Sequence, residues 1–414
     1  MNEKLDIKNW DCEAEVINLA SELIQVPSEN PPGNMKEIAI LIRDYLKKAG
    51  LSVASSESTS GKTNIVAELD FGDGPTLILN GHMDVVPAGD LKQWSWDPFG
   101  GELQDGYLLG RGASDMKAGL AGLLVALKRI ALSDNLHGHV ILMAVPDEET
   151  GGEFGTRWLL ENGITGDACL IAEPSGINPT IGQKGQLLVN AITHGVSAHG
   201  SLSPVVGTNA IHLMKDVIDT IYSLWDTEWP ISETARQLIA HSQEILKEEG
   251  HVAPASVLNR VTVNVGTISG GEKVNMIPSE CEAAFDMRIP IGISTSEVLQ
   301  QLEQRIAEQF SEEVDLIVKA SPNDANFTLP DDPFVELVIH AITEIVKEQA
   351  KPVLQWASSD ARYFRYRGIP TVQFGPAELA GIHSHNERVK VTDVVEATHV
   401  YALLMHDFLR GVCA

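Results

Sequence analysis

The chain has 414 residues, of which 43% are hydrophobic, enough to bury a large core and to form two domains. A net charge of −27 argues against nucleic acid or an anionic membrane surface as a partner. No apolar run approaches the roughly 18 residues that span a bilayer, and the start, Met1-Asn2-Glu3-Lys4-Leu5-Asp6, lacks a signal-peptide core. Four scattered cysteines (Cys12, Cys169, Cys281, Cys413) without a CxxC favour free thiols in a reducing compartment. A soluble cytoplasmic protein is the expectation.

In chain order, Glu13 to Ile24 has the apolar spacing of a helix and stops before Pro27. Ser28 to Asn34 is a turn-rich loop, because its prolines and glycine disfavour helix. Met35 to Ala49 reads as a second amphipathic helix, ended by Gly50. Pro75 to Asn80 is an apolar run leading into Gly81-His82-Met83-Asp84. Tyr107 to Gly110 leads into Arg111-Gly112-Ala113-Ser114-Asp115, and Asp115 to Leu132 reads as a helix packed on a sheet. Val140 to Val145 leads into Pro146-Asp147-Glu148-Glu149. Ala168 to Ala172 ends in Glu173-Pro174. Thr371 to Phe374 leads into a loop with His383-Ser384-His385-Asn386-Glu387.

Between these segments the pattern changes. Gln186 to Thr193 reads as a strand, Gly207 to Leu224 as a helix, Arg260 to Ser269 and Cys281 to Arg288 as strands. Thr295 to Gln309 reads as a helix and Val314 to Ala320 as a strand. The order β-α-β-β-α-β is the split ferredoxin-like unit. Asp226 to Leu258 is extra, partly helical material. The expected organisation is an α/β catalytic domain (1–183 and 321–414) with a mostly parallel sheet covered by helices on both faces. Residues 184–320 form an inserted ferredoxin-like domain.

Strands buried on both faces show continuous apolar runs, and open parallel sheets bind ligands beyond the carboxyl ends of their strands. The five reactive clusters are therefore expected on one rim of the sheet. Two carboxylates about 4 Å apart repel by roughly 4 kcal/mol at an effective dielectric near 20. If Asp84, Asp115, Glu148, Glu149 and Glu173 converge, two divalent cations can hold them. Mixed histidine and carboxylate donors suit zinc, with cobalt or manganese as alternatives. Asp115 also has the position of a helix N-cap, a role compatible with ligation.

These motifs resemble the M20 metallopeptidase and deacylase family, which includes acetylornithine deacetylase, succinyl-diaminopimelate desuccinylase, aminoacylase and glutamate carboxypeptidase. Gly81-His82-Met83-Asp84-Val85-Val86-Pro87 and Gly110-Arg111-Gly112-Ala113-Ser114-Asp115-Met116-Lys117 look like its two signatures. Asp147-Glu148-Glu149, Glu173-Pro174 and His383-Ser384-His385-Asn386-Glu387 complete the set in order, so the match spans nearly the whole chain. The resemblance implies that Asp115 bridges two metals, that His82 and Glu173 complete one site, and that Glu149 and His383 complete the other. It implies that Asp84 steadies the His82 ring and that Glu148 is the general base. The residues alone show only two adjacent glutamates with diverging side chains. It favours His383 over His385 as ligand by its spacing from Asn386-Glu387, and it implies a cis peptide after Asp115.

The inserted segment Gly195-Val196-Ser197-Ala198-His199-Gly200 resembles the family's oxyanion-stabilising segment, in which the histidine serves the other subunit. His199 is thus a catalytic candidate, and a homodimer through the inserted domain is implied. Asn275 and Arg288 match positions that bind substrate, the arginine taking an α-carboxylate, with pairing to Asp286 as the plainer alternative. Gly375-Pro376 is expected to line the pocket. The segment Ala357-Ser358-Ser359-Asp360 departs from the Gly-Thr-Ser-Asp of desuccinylases, while Asp360-Ala361-Arg362 is kept.

The expected activity is dinuclear, zinc-dependent hydrolysis of the amide bond of an N-acyl amino acid or small peptide. The alternatives are a metal aminopeptidase or dipeptidase, a two-metal phosphoesterase, or a non-catalytic homologue. The inserted domain argues against an M28-type aminopeptidase. The lack of clustered Lys/Arg near the metal motifs argues against phosphate chemistry. The complete set of reactive residues argues against loss of catalysis.

Overall fold

The computed structural model describes residues 6–8, 10–310, 312–320 and 322–412, so Cys413 lies outside the described residues. The chain divides into two compact units. The larger runs to Ile181 and resumes over Thr328–Pro352 and from Ser359 onward. The smaller comprises Gly182–Phe327 and Val353–Ser358.

In the larger unit, Thr76–His82 is flanked in parallel by His139–Val145 and Ala168–Ile171, and Thr371–Gln373 adds in parallel beyond the latter. The antiparallel strands Lys62–Asp70 and Ser52–Thr59 extend the other side. Register aligns the carboxyl ends: His82 pairs with Val145, and Ile171 with both Asn80 and Gln373. Each strand therefore delivers its next residues to one edge.

The central strands Thr76–His82, Ala168–Ile171 and Thr371–Gln373 are buried on both faces, which explains the unbroken apolar runs. On one face Ile78, Met143, Val145 and Ile171 pack with Leu159, Leu160 and Phe364. The helices Glu13–Gln25, Ala118–Ile130 and Val391–Leu409 pack against one another. Ala118–Ile130 has few polar positions because it is buried on nearly every side. Its Gly122 allows close approach, since a Cβ there would lie 3.0 Å from the Tyr401 ring.

One expectation fails. Tyr107–Leu109 does not belong to the main sheet; it is the middle strand of a separate three-stranded sheet, between Leu103–Gln104 and Arg388–Lys390. The cause is a tight turn. Asp105 (φ 52°) and Gly106 (φ 82°) both adopt the left-handed conformation, and Gln104 pairs with Tyr107 across them. Asp-Gly is a hairpin signal, so this turn was readable in the sequence. Asp115 therefore reaches its position from a hairpin rather than from a central strand.

The smaller unit is a four-stranded antiparallel sheet ordered Thr262–Gly270, Glu280–Ile289, Gly185–His194, Val314–Val318. Glu280–Ile289 and Gly185–His194 alternate buried and partly exposed residues along most of their length, the mark of a sheet with one covered face. Helices Ala210–Tyr222 and Thr295–Phe310 place Met214, Val217, Ile221, Val298, Leu302 and Ile306 in the same core as Val189, Phe285 and Met287. The material after Asp226 forms helices Glu233–Glu248 and Val252–Val257. The unit extends beyond 184–320, from Gly182 to Phe327 together with Val353–Ser358, and the Leu354 amide of Val353–Gln355 donates to the Ser242 hydroxyl at 3.0 Å. That three-residue strand carries no pattern of its own. No helix among the described residues is long and apolar enough to cross a membrane.

Candidate metal centre

Three strand ends and two loops of the larger unit converge. His82 ends its strand, Glu148 and Glu149 open the turn after His139–Val145, and Glu173 follows Ala168–Ile171. Asp115 comes from the segment before helix Ala118–Ile130, and the Asp115–Met116 peptide is cis. His383 lies on the loop before Arg388–Lys390, with φ at 58°, an unusual conformation for a non-glycine residue.

The geometry centres on Asp115. Its Oδ1 lies 3.0 Å from His82 Nε2 and its Oδ2 lies 3.2 Å from His383 Nε2. Glu149 Oε1 is 3.1 Å from the same His383 nitrogen, and Glu173 Oε2 is 3.9 Å from His82 Nε2. Donor atoms of His82, Asp115 and Glu149 lie within 4.8 Å of one another, as do those of His82, Glu148 and Glu173. The His82 tautomer follows from its surroundings. Its Nδ1 is 2.8 Å from the Asp84 backbone carbonyl, which can only accept, so Nδ1 carries the proton and Nε2 presents a lone pair to the cluster.

Asp84 lies against the His82 ring with both its carbonyl and its carboxylate. Its carboxylate is 3.5 Å from His82 Nδ1, farther than its own carbonyl. The carboxylate also accepts the Glu148 amide at 3.2 Å, the Glu149 amide at 3.3 Å and Asn30 Nδ2 at 2.8 Å. Asp84 thus steadies the His82 ring mainly through its backbone, while its side chain holds the glutamate turn. Asn30 also donates to the Thr150 hydroxyl at 2.9 Å. Nothing in the loop's sequence singled out Asn30.

Electrostatics match a crowded acid cluster. Burial, and then Glu173, push the Glu148 carboxyl well above its ordinary range. Burial, with Asp115 and Glu149 adding and His82 opposing, pushes Glu173 up to about 8. Hydrogen bonds with Asp115 and Glu149 push His383 up to about 10. Burial opposes charge on both His82 and Asp115, yet their mutual hydrogen bond holds the imidazole high and helps hold the carboxyl low. The donor set fits divalent metal. It is all imidazole and carboxylate, and Glu173 Oε1 is buried with no hydrogen-bond partner.

His385 is turned elsewhere. Its ring packs edge-on against Trp94, centroids 6.0 Å apart, and Arg111 lies over the same indole. Asn386 Oδ1 accepts the Ser95 amide at 2.7 Å, anchoring the loop between His383 and Glu387. Gly375 packs where a Cβ would be 2.4 Å from the Ala172 carbonyl and 2.8 Å from that of Glu173. Its requirement is close approach of backbone to the segment carrying Glu173.

The remaining candidates lie in the smaller unit. The His199 ring bonds to the Ser201 hydroxyl at 2.8 Å, and the Gly200 amide donates to the Asn275 carbonyl at 2.8 Å, so these two segments are neighbours. Arg288 Nη2 is 2.9 Å from Asp286 Oδ2.

Comparison with known proteins agrees with this arrangement. The family model for Peptidase family M20/M25/M40 matches residues 78–407. The chain is 30% identical over 406 residues to the succinyl-diaminopimelate desuccinylase of Cereibacter sphaeroides, covering 95% of this chain and 98% of that one. It is 29% identical over 409 residues to the same enzyme of Bradyrhizobium diazoefficiens, covering 94% and 97%. In fold it resembles an M20 family metallo-carboxypeptidase from Sulfolobus solfataricus, with a TM-score of 0.78 at 21% identity over 96% of this chain and 99% of that one. Human carnosine dipeptidase 1 gives a TM-score of 0.75 at 18% identity over 96% and 97%. With its signatures, its sheet and its paired histidine–carboxylate cluster accounted for, the chain belongs to peptidase family M20/M25/M40 and is a hydrolase of that family.

Proposed function

We propose that the protein hydrolyses the amide bond of an N-acyl amino acid or small peptide with two divalent metal ions, zinc being the best fit to the donors. One observation carries this reading. Asp115 offers one oxygen beside each of two imidazoles, and each imidazole has a second carboxylate close by, Glu173 for His82 and Glu149 for His383. His82 and Glu173 would hold one ion, Glu149 and His383 the other, with Asp115 shared. The ions supply polarisation of the scissile carbonyl and acidification of the attacking water.

Glu148 takes the proton from that water and delivers it to the leaving nitrogen. Its raised pKa suits a group that must both accept and return a proton. Glu149, paired with His383, suits ligation instead. Asn275, Arg288 and Gly375 are assigned to substrate binding and His199 to the developing oxyanion. A homodimer through the smaller unit is supported by the free edge strand Thr262–Gly270, with Ile268 exposed, and by exposed Val196, Val205 and Val274.

The desuccinylase relatives favour an N-acyl amino acid. The changed Ala357-Ser358 pair weighs against succinyl recognition, and the second reading is a dipeptidase, the activity named for carnosine dipeptidase 1 of the same fold. Activity of zinc- or cobalt-loaded protein on N-succinyl, N-acetyl and N-formyl amino acids and dipeptides separates them. Glu148→Gln should abolish turnover with metal content unchanged at two per subunit, and Asp115→Ala should lose metal. Retained turnover in the first variant, or unchanged metal in the second, would overturn the assignments.

A further inference from the structure

Behind the Glu148–Thr150 turn lies a buried polar layer that the proposed reaction does not use. Its centre is Arg362, 7% exposed, on the short helix Ala361–Arg365. Arg362 Nη2 donates to the Gly151 carbonyl at 2.7 Å, and the Tyr363 hydroxyl donates to the same oxygen at 2.5 Å. Arg362 Nη1 donates to the Ser359 carbonyl at 2.7 Å, and the guanidinium lies 4.5 Å from the Tyr363 ring centroid. One carbonyl thus receives two donors, one of them charged, from a segment some 200 residues away in sequence.

The position of that carbonyl matters. Gly151 closes the glutamate turn with φ at 113°, a conformation reserved for glycine, so its orientation sets how the chain leaves the turn. The other end is held by the Asp84 carboxylate through the Glu148 and Glu149 amides. The turn is pinned from two sides, by Asp84, which also contacts the His82 ring, and by Arg362 with Tyr363 at the far end. Ser359, which Arg362 also holds, is the first residue of the larger unit after the chain returns from Val353–Ser358.

We propose that Arg362 is a positioning residue for the general base, holding the Gly151 end of the turn, with Tyr363, so that the Glu148 carboxylate keeps its aim at the cluster. The proposal rests on the reading of Glu148 as base. It also gives Arg362, retained in the 357–362 segment, a role apart from the altered Ala357-Ser358.

The test compares Arg362→Met, Arg362→Lys and Tyr363→Phe with Glu148→Gln in full-length, metal-loaded protein. The substrate is the best one from the N-acyl panel. Arg362→Met should lower kcat about 10–100-fold, with KM changed less than about threefold and metal content kept, because misplacement near 1 Å costs that much. Arg362→Lys should recover about tenfold of the loss, since one charged donor returns. Tyr363→Phe should show a smaller fall in kcat. A merely structural role would lower melting temperature or metal content and leave kcat per loaded enzyme at the wild-type value; that result overturns the proposal. Should Arg362→Met fail to fold, wild-type kcat in both Arg362→Lys and Tyr363→Phe overturns it equally. Turnover retained in Glu148→Gln would sink the base reading. Glu148→Gln inactive with Arg362→Met at wild-type kcat sinks the positioning reading alone.

Discussion

Arg111 and Glu387 form an ion pair 2.6 Å long in which both side chains are about 2% exposed or less. The other Glu387 oxygen accepts the amides of Ser114 and Asp115 at 3.0 and 3.1 Å. One carboxylate therefore joins the segment that carries the shared aspartate to the loop that carries His383. Removing one member of a buried pair typically costs about 3–5 kcal/mol, because the other charge is left unpaired. Glu387→Ala should destabilise the fold by about that amount in denaturant titration and weaken metal binding about 10–100-fold. A variant with wild-type stability and metal affinity would show the pair to be dispensable.

Gly375→Ala tests close packing beside Glu173. The added methyl would sit 2.4 Å from the Ala172 carbonyl, and backbone cannot yield as a side-chain tip can. The expected loss is about 1–3 kcal/mol of stability, with reduced metal occupancy because the strain falls next to a ligand. Thermal unfolding and elemental analysis read both, and an unchanged melting curve would refute the packing argument.

Metal uptake should release protons. His383 is pushed up to about 10 by Asp115 and Glu149, and Glu173 up to about 8 mainly by burial, so both are protonated near pH 7 in metal-free protein. Ligation requires them deprotonated, so apparent affinity should rise as pH goes from about 6 to 8. Calorimetric zinc titrations in buffers of different ionisation enthalpy count the protons. Buffer-independent heats would contradict this.

Lys184 gives stability a pH dependence. It is 2% exposed, with Nζ 2.9 Å from the Val257 carbonyl, 2.7 Å from that of Arg260 and 3.3 Å from the Thr262 hydroxyl. Burial, and then Arg288, push it down to about 7. Between that value and the unfolded one near ~10.4 the unfolded chain binds more protons, so stability should rise as pH climbs through this window. The three acceptors favour the ammonium and limit the gain to on the order of 1–3 kcal/mol. Urea unfolding at pH 7, 8 and 9 should show the wild type gaining on Lys184→Met. A constant difference would remove Lys184 as the source.

Much of this was legible in the chain itself. His82, Glu148 and Glu173 follow apolar runs that pair in register, and a parallel sheet has one ligand-binding edge, so these residues were bound to meet. The smaller unit's alternating strands announced their covered face in the same way. The Asp105-Gly106 turn is equally readable in the residues, and it precedes an apolar strand of only three residues, Tyr107–Leu109.

Local pattern thus determined the strands, the helices and the order in which the reactive side chains arrive, because burial on one or both faces writes a period into the residues. Which imidazole turns inward was decided by packing: Trp94 takes the His385 ring edge-on, while His383 meets Asp115 and Glu149. Tertiary structure also decided that Asp84 uses its carbonyl for His82 and its carboxylate for the glutamate turn, and that Arg111, Glu387, Asn30 and Arg362 support the centre. Those roles depend on hydrogen bonds between residues tens to hundreds of positions apart, and such bonds leave no periodic trace.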